Sequence, residues 1–258
     1  MAGHSQFKNI MYRKGAQDKK RAKLFTKMNK EITVAVREGG PEPESNPRLR
    51  QAVATALYNN MPKTNIERAI KKASGAESGG TYEEIRYEGY GPGGVAVIAD
   101  CLTDNRNRTA GDVRAIFNKY GGKMGEQNTA AVMFERVGRV VFGDDVTDMD
   151  TLFEAAAEAG AEDVEHQPAP EDGESETGSF EVVCEAGAFS QVREALREQF
   201  GDPREGRLGW RPISTQPVDE ADAQTLFKLL NALEDHDDVQ QVSSNFEVSG
   251  EVMRRLTA

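Results

Sequence analysis

Apolar positions in the first third of the chain follow a helical period. From residue 16 to about residue 38, Leu24, Phe25, Met28, Ile32 and Val36 recur at intervals of three and four, the spacing that puts side chains on one face of a helix. Gly39-Gly40-Pro41 stops that helix, and Pro41-Glu42-Pro43-Glu44 reads as a loop. Asn46 then caps a second helix with Pro47 at its first position, and Leu49, Val53, Ala56 and Leu57 form its inward face. Thr64-x-x-Glu67 reads as the capping box of a third helix, which buries Ile66, Ala69, Ile70 and Ala73 and ends at Gly75. Three short amphipathic helices with complementary faces predict a small bundle, followed by a linker at Ala76-Glu77-Ser78-Gly79-Gly80.

Beyond the linker the period changes. Strand-like runs at 84–90, 95–101, 130–135, 139–142, 180–184, 213–218 and 239–246 alternate with helical patterns at 110–120, 149–159, 189–200 and 223–234. A weak internal repeat runs through them. Thr151-Leu152-Phe153 precedes Asp163-Val164 much as Thr225-Leu226-Phe227 precedes Asp238-Val239. Val113-Arg114 before Tyr120-Gly121 likewise echoes Val192-Arg193 before Phe200-Gly201. Two βα-rich modules of similar plan account for this. The acidic stretch 168–178 reads as an exposed loop in the second.

Charge adds a direction. Over 258 residues, 32 Lys+Arg against 43 Asp+Glu leave −11. Up to Gly75, however, 16 basic residues face 6 acidic ones, whereas the remainder carries 16 against 37, so +10 is joined to −21. Such segregation predicts a polyanion-binding arm on an acidic body. Lys20, Lys23, Lys27 and Lys30, with Lys19 and Arg21 beside them, line the first helix roughly opposite its apolar stripe. They continue a basic arm at Lys8, Arg13 and Lys14, with too few acids for the usual i,i+4 pairs. This favours nucleic acid over a solvated face, and over a membrane, because the opposite face is needed to close the bundle.

Other chemistry is sparse. Cys101 and Cys184 are 83 positions apart, and His4, His166 and His236 lack metal-ligand spacing, so no disulfide scaffold, metal or cofactor is expected. Gly89-x-Gly91-x-x-Gly94 matches the dinucleotide fingerprint in form, but Pro92 interrupts it and a strand follows, so it reads as a glycine-rich hairpin. No nucleophile elbow, Walker or kinase motif is present, and the chain is expected not to be an enzyme. The longest apolar run, 95–102, is far too short to span a bilayer, and the N-terminus lacks the apolar stretch of a secretory signal; its charge alone would also suit a transit peptide, and a cytoplasmic location is the default expectation. At 103–109, Thr-Asp-Asn-Arg-Asn-Arg-Thr admits two readings. Arg106 and Arg108 could meet phosphates or base edges. Alternatively, the stretch is a turn and helix cap with Thr109 and Asp112 satisfying the first amides.

Several of these segments resemble the YebC/PmpR family. They include Gly3-His4-Ser5, Arg13-Lys14-x-Ala16-Gln17-Asp18, Leu24-Phe25-Thr26-Lys27, Asn46-Pro47-Arg48-Leu49-Arg50, Asn60-Met61-Pro62-Lys63 and Asn65-Ile66-Glu67-Arg68-Ala69-Ile70. Tyr87-Glu88-Gly89-Tyr90-Gly91-Pro92-Gly93-Gly94 and the 103–109 stretch belong to the same collinear match. Gln6-Phe7, Tyr12 and Asn128-Thr129-Ala130-Ala131-Val132 depart from it. The resemblance implies an α+β multidomain fold: a basic three-helix nucleic-acid-binding domain over 1–78, a discontinuous central α+β domain over 79–136 and 210–258, and an inserted α+β domain over 137–209. It further implies a DNA-binding transcriptional regulator, or alternatively a ribosome-associated translation factor that assists synthesis of proline-rich stretches. Against the first, no helix-turn-helix with a readable recognition helix is evident in the sequence.

Overall fold

The computed structural model describes residues 17–75, 81–169 and 177–257, with side chains from Arg21 onward except at 251, 254, 256 and 257. Lys8, Arg13, Lys14, the 76–80 linker and most of the acidic loop, at 170–176, lie outside the described residues. The fold is mixed α+β, built on antiparallel four-stranded sheets with one short two-stranded parallel pair. In chain order the first elements are α1 (Gln17–Gly39), α2 (Pro47–Tyr58), α3 (Lys63–Ser74), β1 (Glu83–Tyr90), β2 (Ala96–Thr103), α4 (Arg106–Lys119), β3 (Lys123–Met124) and β4 (Phe134–Gly143). There follow α5 (Met149–Ala159), β5 (Asp163–Gln167), β6 (Ser179–Glu185), α6 (Phe189–Phe200), β7 (Glu205–Pro212), β8 (Gln216–Pro217), α7 (Glu220–Glu234), β9 (Val239–Ser244), β10 (Phe246–Glu247) and α8 (Gly250–Thr257).

These elements form two compact units, divided within α1 after Lys30. The first unit holds 79–135 and 211–258 together with the start of α1. Its sheet runs β3-β1-β2-β9, with β1 antiparallel to β2 from Glu83↔Thr103 to Tyr90↔Ala96. Helices α4 and α7 supply Val113, Phe117, Leu226, Leu229, Leu230 and Leu233 to a core closed by Val97, Ala99 and Val242. The second unit holds 31–78 and 136–210. Its sheet runs β5-β6-β4-β7, which with chain order β4-α5-β5-β6-α6-β7 is a split β-α-β-β-α-β arrangement. Its core packs Leu152, Ala156, Val192 and Leu196 against Val140, Phe142, Val182 and Cys184.

The internal repeat maps onto these two cores. Leu152 and Leu226 are both fully buried, as are Val113 and Val192. Gly121 and Gly201, which follow the second pair of helices, both have positive φ, at 73° and 82°. Each module therefore needs the same apolar helix position and a glycine at positive φ just after that helix.

Gly91-Pro92-Gly93-Gly94 connects β1 to β2 as a tight turn, so the fingerprint-like glycines precede a strand and not a helix. They are required by close packing instead. A Cβ on Gly91 would stand 2.9 Å from Leu226 Cδ1, and one on Gly93 would stand 2.7 Å from Val218 Cγ1. Gly93 also has φ of 70°, while Gly94, at φ of 75°, has open space around it. Gly94→Ala should therefore cost only the left-handed backbone, about 1 kcal/mol. Gly93→Ala should add an overpacking cost of about 1–3 kcal/mol. Equal midpoints for the two variants in urea denaturation would show that the Val218 contact is not limiting.

Some expected elements differ. Asn46 does cap α2, accepting the Leu49 amide at 3.0 Å. Its buried face, however, is Leu49, Ala52 and Ala56; Val53 is half-buried and Leu57 is exposed. Thr64-x-x-Glu67 is no capping box: α3 starts at Lys63 after Pro62, whose extended backbone ends the preceding turn, and both Thr64 and Glu67 lie exposed within the helix. The strand expected at 130–135 is a 3-10 turn at Ala131–Met133 leading into β4. The buried Glu88 carboxylate causes this by accepting the Ala130 and Ala131 amides at 3.0 and 2.8 Å, which denies them to a ladder. The run at 213–218 yields only β8, with Ile213 exposed.

Candidate nucleic-acid interface

The basic residues of α1 do not share one environment. Arg21 is exposed, its guanidinium 5.7 Å from the centre of the Phe25 ring. Lys19 and Lys20 are helical in backbone, and their side chains lie outside the description. The next three lysines turn toward the C-terminal end of α7. Lys23 stands 3.5 Å from Asp235. Lys27 donates to the Glu234 carbonyl at 2.5 Å, and Lys30 donates to the Asp237 carbonyl at 2.9 Å and to the Asp238 carboxylate. A helix C-terminus offers unpaired carbonyls and the negative pole of the macrodipole. Here that end is reinforced by Glu234, Asp235, Asp237 and Asp238. Burial pushes the Lys27 ammonium below its ordinary pKa, against the upward pull of Glu234, Asp235 and Asp237.

The 103–109 stretch reaches the same point. Asn105 caps α4 by accepting the Arg108 amide at 3.0 Å, so the cap is Asn105 rather than Thr109 or Asp112. Thr109 is buried, and its hydroxyl donates to Asp238 Oδ2 at 2.7 Å; Thr103 Oγ1 lies 3.2 Å from the same oxygen. Arg108 spans Asp104 at 2.9 Å and Asp238 at 3.0 Å, and these hydrogen bonds, that to Asp238 first, raise its pKa further. Burial alone would push the Asp238 carboxyl up, but hydrogen bonds from Lys30, Thr109 and Arg108 hold it well below the usual carboxylate range. His236 accepts the Asp238 amide on Nδ1 at 3.1 Å and faces Asp112 at 3.3 Å on Nε2. Lys23, Lys27, Lys30 and Arg108 are thus gathered around residues 234–238, while Arg106 is exposed, its carbonyl accepting the Tyr87 hydroxyl at 3.0 Å.

A different basic face went unremarked in the sequence. On α3, Lys63, Arg68, Lys71 and Lys72 are all exposed, with Ile66 and Ala73 buried on the other side. The same period that places those apolar residues inside places these four outside, so the signal was present. Among the described residues, Lys63, Lys71 and Lys72 have no carboxylate within ion-pair distance. Helices α2 and α3 are joined by four residues, with Asn60 at φ of 58° and the Met61 amide bonding the Ala56 carbonyl at 2.9 Å.

Little else points to chemistry. Burial, with Asp100 and Asp238 adding to it, pushes the Cys101 thiol up to about 12, the opposite of an activated nucleophile. His166 bonds Asp144 at 3.2 Å and lies against the Phe180 ring. Among the described residues no group of three His, Cys, Asp or Glu side chains is placed to hold a metal ion. No described helix is long and apolar enough to cross a membrane.

The comparisons with known proteins agree over nearly the whole chain. Residues 5–76 match the family model described as the TACO1/YebC protein N-terminal domain, and residues 82–246 match that of the TACO1/YebC second and third domain. Among solved structures, a conserved hypothetical protein, Aq1575 from Aquifex aeolicus, is 44% identical, with 92% of this chain and 94% of that chain covered at a TM-score of 0.78. On this evidence the chain belongs to the TACO1/YebC family.

Proposed function

We propose that this protein is a nucleic-acid-binding regulator that acts on duplex DNA, as a transcriptional regulator, through its N-terminal domain. Membership of the TACO1/YebC family supports a regulatory, nucleic-acid-binding role. The observation that carries the finer reading is the segregation of charge, +10 up to Gly75 against −21 beyond it. Polyanions are repelled by the acidic remainder and meet the chain productively only at its basic end. The same reading makes the chain a binding protein and not an enzyme, with no cofactor, working in the cytoplasm.

A ribosomal role is the second reading, because a basic head on an acidic body suits an RNA-walled site as well as a duplex. Competition separates the two. Labelled protein is bound to purified ribosomes at near-physiological salt and titrated with duplex DNA fragments. The regulator reading expects displacement at modest DNA concentration, with some fragments competing far better than others. Displacement only at great excess, equal for all fragments, would overturn it in favour of the ribosome.

A further inference from the structure

Resting on the nucleic-acid reading, we propose that the binding surface continues past the N-terminal domain onto the outer face of α4, which lies against the phosphodiester backbone. Residues 105–123 hold five basic residues and one acid, Asp112, within a remainder that is otherwise strongly acidic. The state of these charges also sets them apart. Elsewhere in the remainder, Arg86, Arg197, Arg204, Arg207, Arg211 and Arg255 each stand beside a carboxylate. In 105–123, Arg108 is taken by Asp104 and Asp238, and Asp112 faces His236. Arg106, Arg114 and Lys119 on α4, and Lys123 on β3, are exposed, and none has a carboxylate within ion-pair distance among the described residues. A cluster of unpaired cations on an acidic body is a local attractor for a polyanion.

The helical period arranges these donors around a flat strip. Thr109, Val113 and Phe117 are buried, so the side of α4 turned to solvent centres on Gly111 and Ala115. Asn107, Arg114 and Asn118 flank that strip on one side, and Arg108 and Lys119 flank it on the other. The side-chain amides of Asn107 and Asn118 make no hydrogen bond among the described residues. Gly111 has no role inside the fold: it is exposed in mid-helix, and a Cβ there would meet nothing within 4 Å. Glycine at such a position destabilises a helix relative to alanine. What it provides here is room for another backbone to approach closely. Guanidinium, ammonium and amide groups are the side-chain donors that meet phosphate and sugar oxygens. Helix α4 also adjoins the basic end of the chain, because Lys30 of α1 bonds Asp238 Oδ1 while Arg108 bonds Oδ2 of the same carboxylate. The positive surface of α1 thus continues onto α4.

The test is binding by the full-length chain to a mixed-sequence DNA duplex and to an RNA hairpin, read by fluorescence anisotropy over a range of salt. Three variants are compared with the parent: Arg114→Gln/Lys119→Gln, the charge-keeping Arg114→Lys/Lys119→Arg, and Gly111→Leu. All are exposed positions, and thermal melting checks that the fold is retained. Each phosphate contact contributes about 0.9 to the slope of log K against log salt on duplex DNA. The double Gln variant should therefore lose about 1.8 from that slope, while the charge-keeping variant retains it. Gly111→Leu should melt no lower than the parent, since leucine is the better helix former, yet bind several-fold more weakly because the strip is filled. Either the double Gln variant or Gly111→Leu binding as the parent does overturns the assignment to α4 and leaves binding by the N-terminal domain intact. Salt-sensitive self-association of the parent in sedimentation, lost in the double Gln variant, would make the occupant a second copy of this acidic chain and overturn the assignment to nucleic acid. A parent that binds neither probe overturns both readings.

Discussion

Asp238→Ala is expected to lower the free energy of unfolding by about 3–5 kcal/mol, the range for removing one partner of a buried charge cluster. The Asp238 side chain is only 4% exposed, and its partner Lys30 only 12%. The substitution would leave the Lys30 ammonium without its carboxylate, and the Thr103 and Thr109 hydroxyls and the Arg108 guanidinium without a common acceptor. Asp238→Asn keeps the volume and one acceptor oxygen, so its cost should be smaller, about 1–3 kcal/mol. The pair also predicts a pH dependence. The Asp238 carboxyl is held below its ordinary value in the folded chain. In the unfolded chain it titrates near 3.9, so folding is favoured by the ionised form. That stabilisation is complete above about pH 5 and is lost as pH falls through 4 and below. Urea denaturation across pH should show the parent losing more stability on acidification than Asp238→Asn does. If the two curves run parallel below pH 5, the carboxylate is not the acid-sensitive group of this cluster.

How far such a cluster can be read in a sequence depends on where its partners lie. Helices α5 and α6 match the expected ranges; both ends of α5 are marked locally, whereas α6 carries a glycine at its C-terminal end and no side-chain cap at its start. Asp148 caps the first by accepting the Thr151 amide at 2.9 Å, and Gly160 ends it at φ of 95°. The antiparallel hairpin at Gly91–Gly94 was equally legible, since proline and glycine fix a turn whatever surrounds it. Strand β7 was missed: Glu205–Pro212 is half-buried along most of its length and shows no clean alternation. The site was only half legible. Charge in the first 75 residues is visible by counting, but Lys27 and Lys71 look alike in sequence. What separates them is the α7 terminus, 207 residues beyond Lys27, whose acceptor is a main-chain carbonyl that no side-chain pattern announces. The Thr103–Thr109 stretch shows the same limit. That the stretch opens a helix was foreseeable, although Asn105 and not Thr109 or Asp112 is its cap. Its convergence on Asp238, by contrast, depends on a register between β2 and the segment before β9, where the Leu102 amide bonds the Asp238 carbonyl at 2.7 Å.

Asn46→Ala is expected to cost about 2–4 kcal/mol, because that one side chain ties together the end of α1 and the start of α2. Asn46 is 3% exposed. Its Oδ1 accepts the Leu49 amide, while its Nδ2 donates to the Ala35 carbonyl at 2.7 Å and to the Gly40 carbonyl at 2.8 Å. Loss of the cap alone accounts for about 1 kcal/mol. The remainder comes from the buried Ala35 carbonyl and the part-buried Gly40 carbonyl, both deprived of a donor. Asparagine and aspartate are nearly equivalent as caps, so Asn46→Asp isolates the second contribution. Aspartate restores the acceptor for Leu49 but points a carboxylate oxygen at Ala35 and Gly40, and should stay about 1–3 kcal/mol below the parent. Chemical denaturation of the two variants should place Asn46→Asp closer to Asn46→Ala than to the parent. If Asn46→Asp unfolds with the parent, the two donated bonds contribute nothing and the residue is merely a cap. Gly39 shows how closely the side chain is held: a Cβ there would lie 2.6 Å from Asn46 Cγ and Nδ2, so an oxygen introduced at the Nδ2 position has little room to turn away from the Ala35 carbonyl.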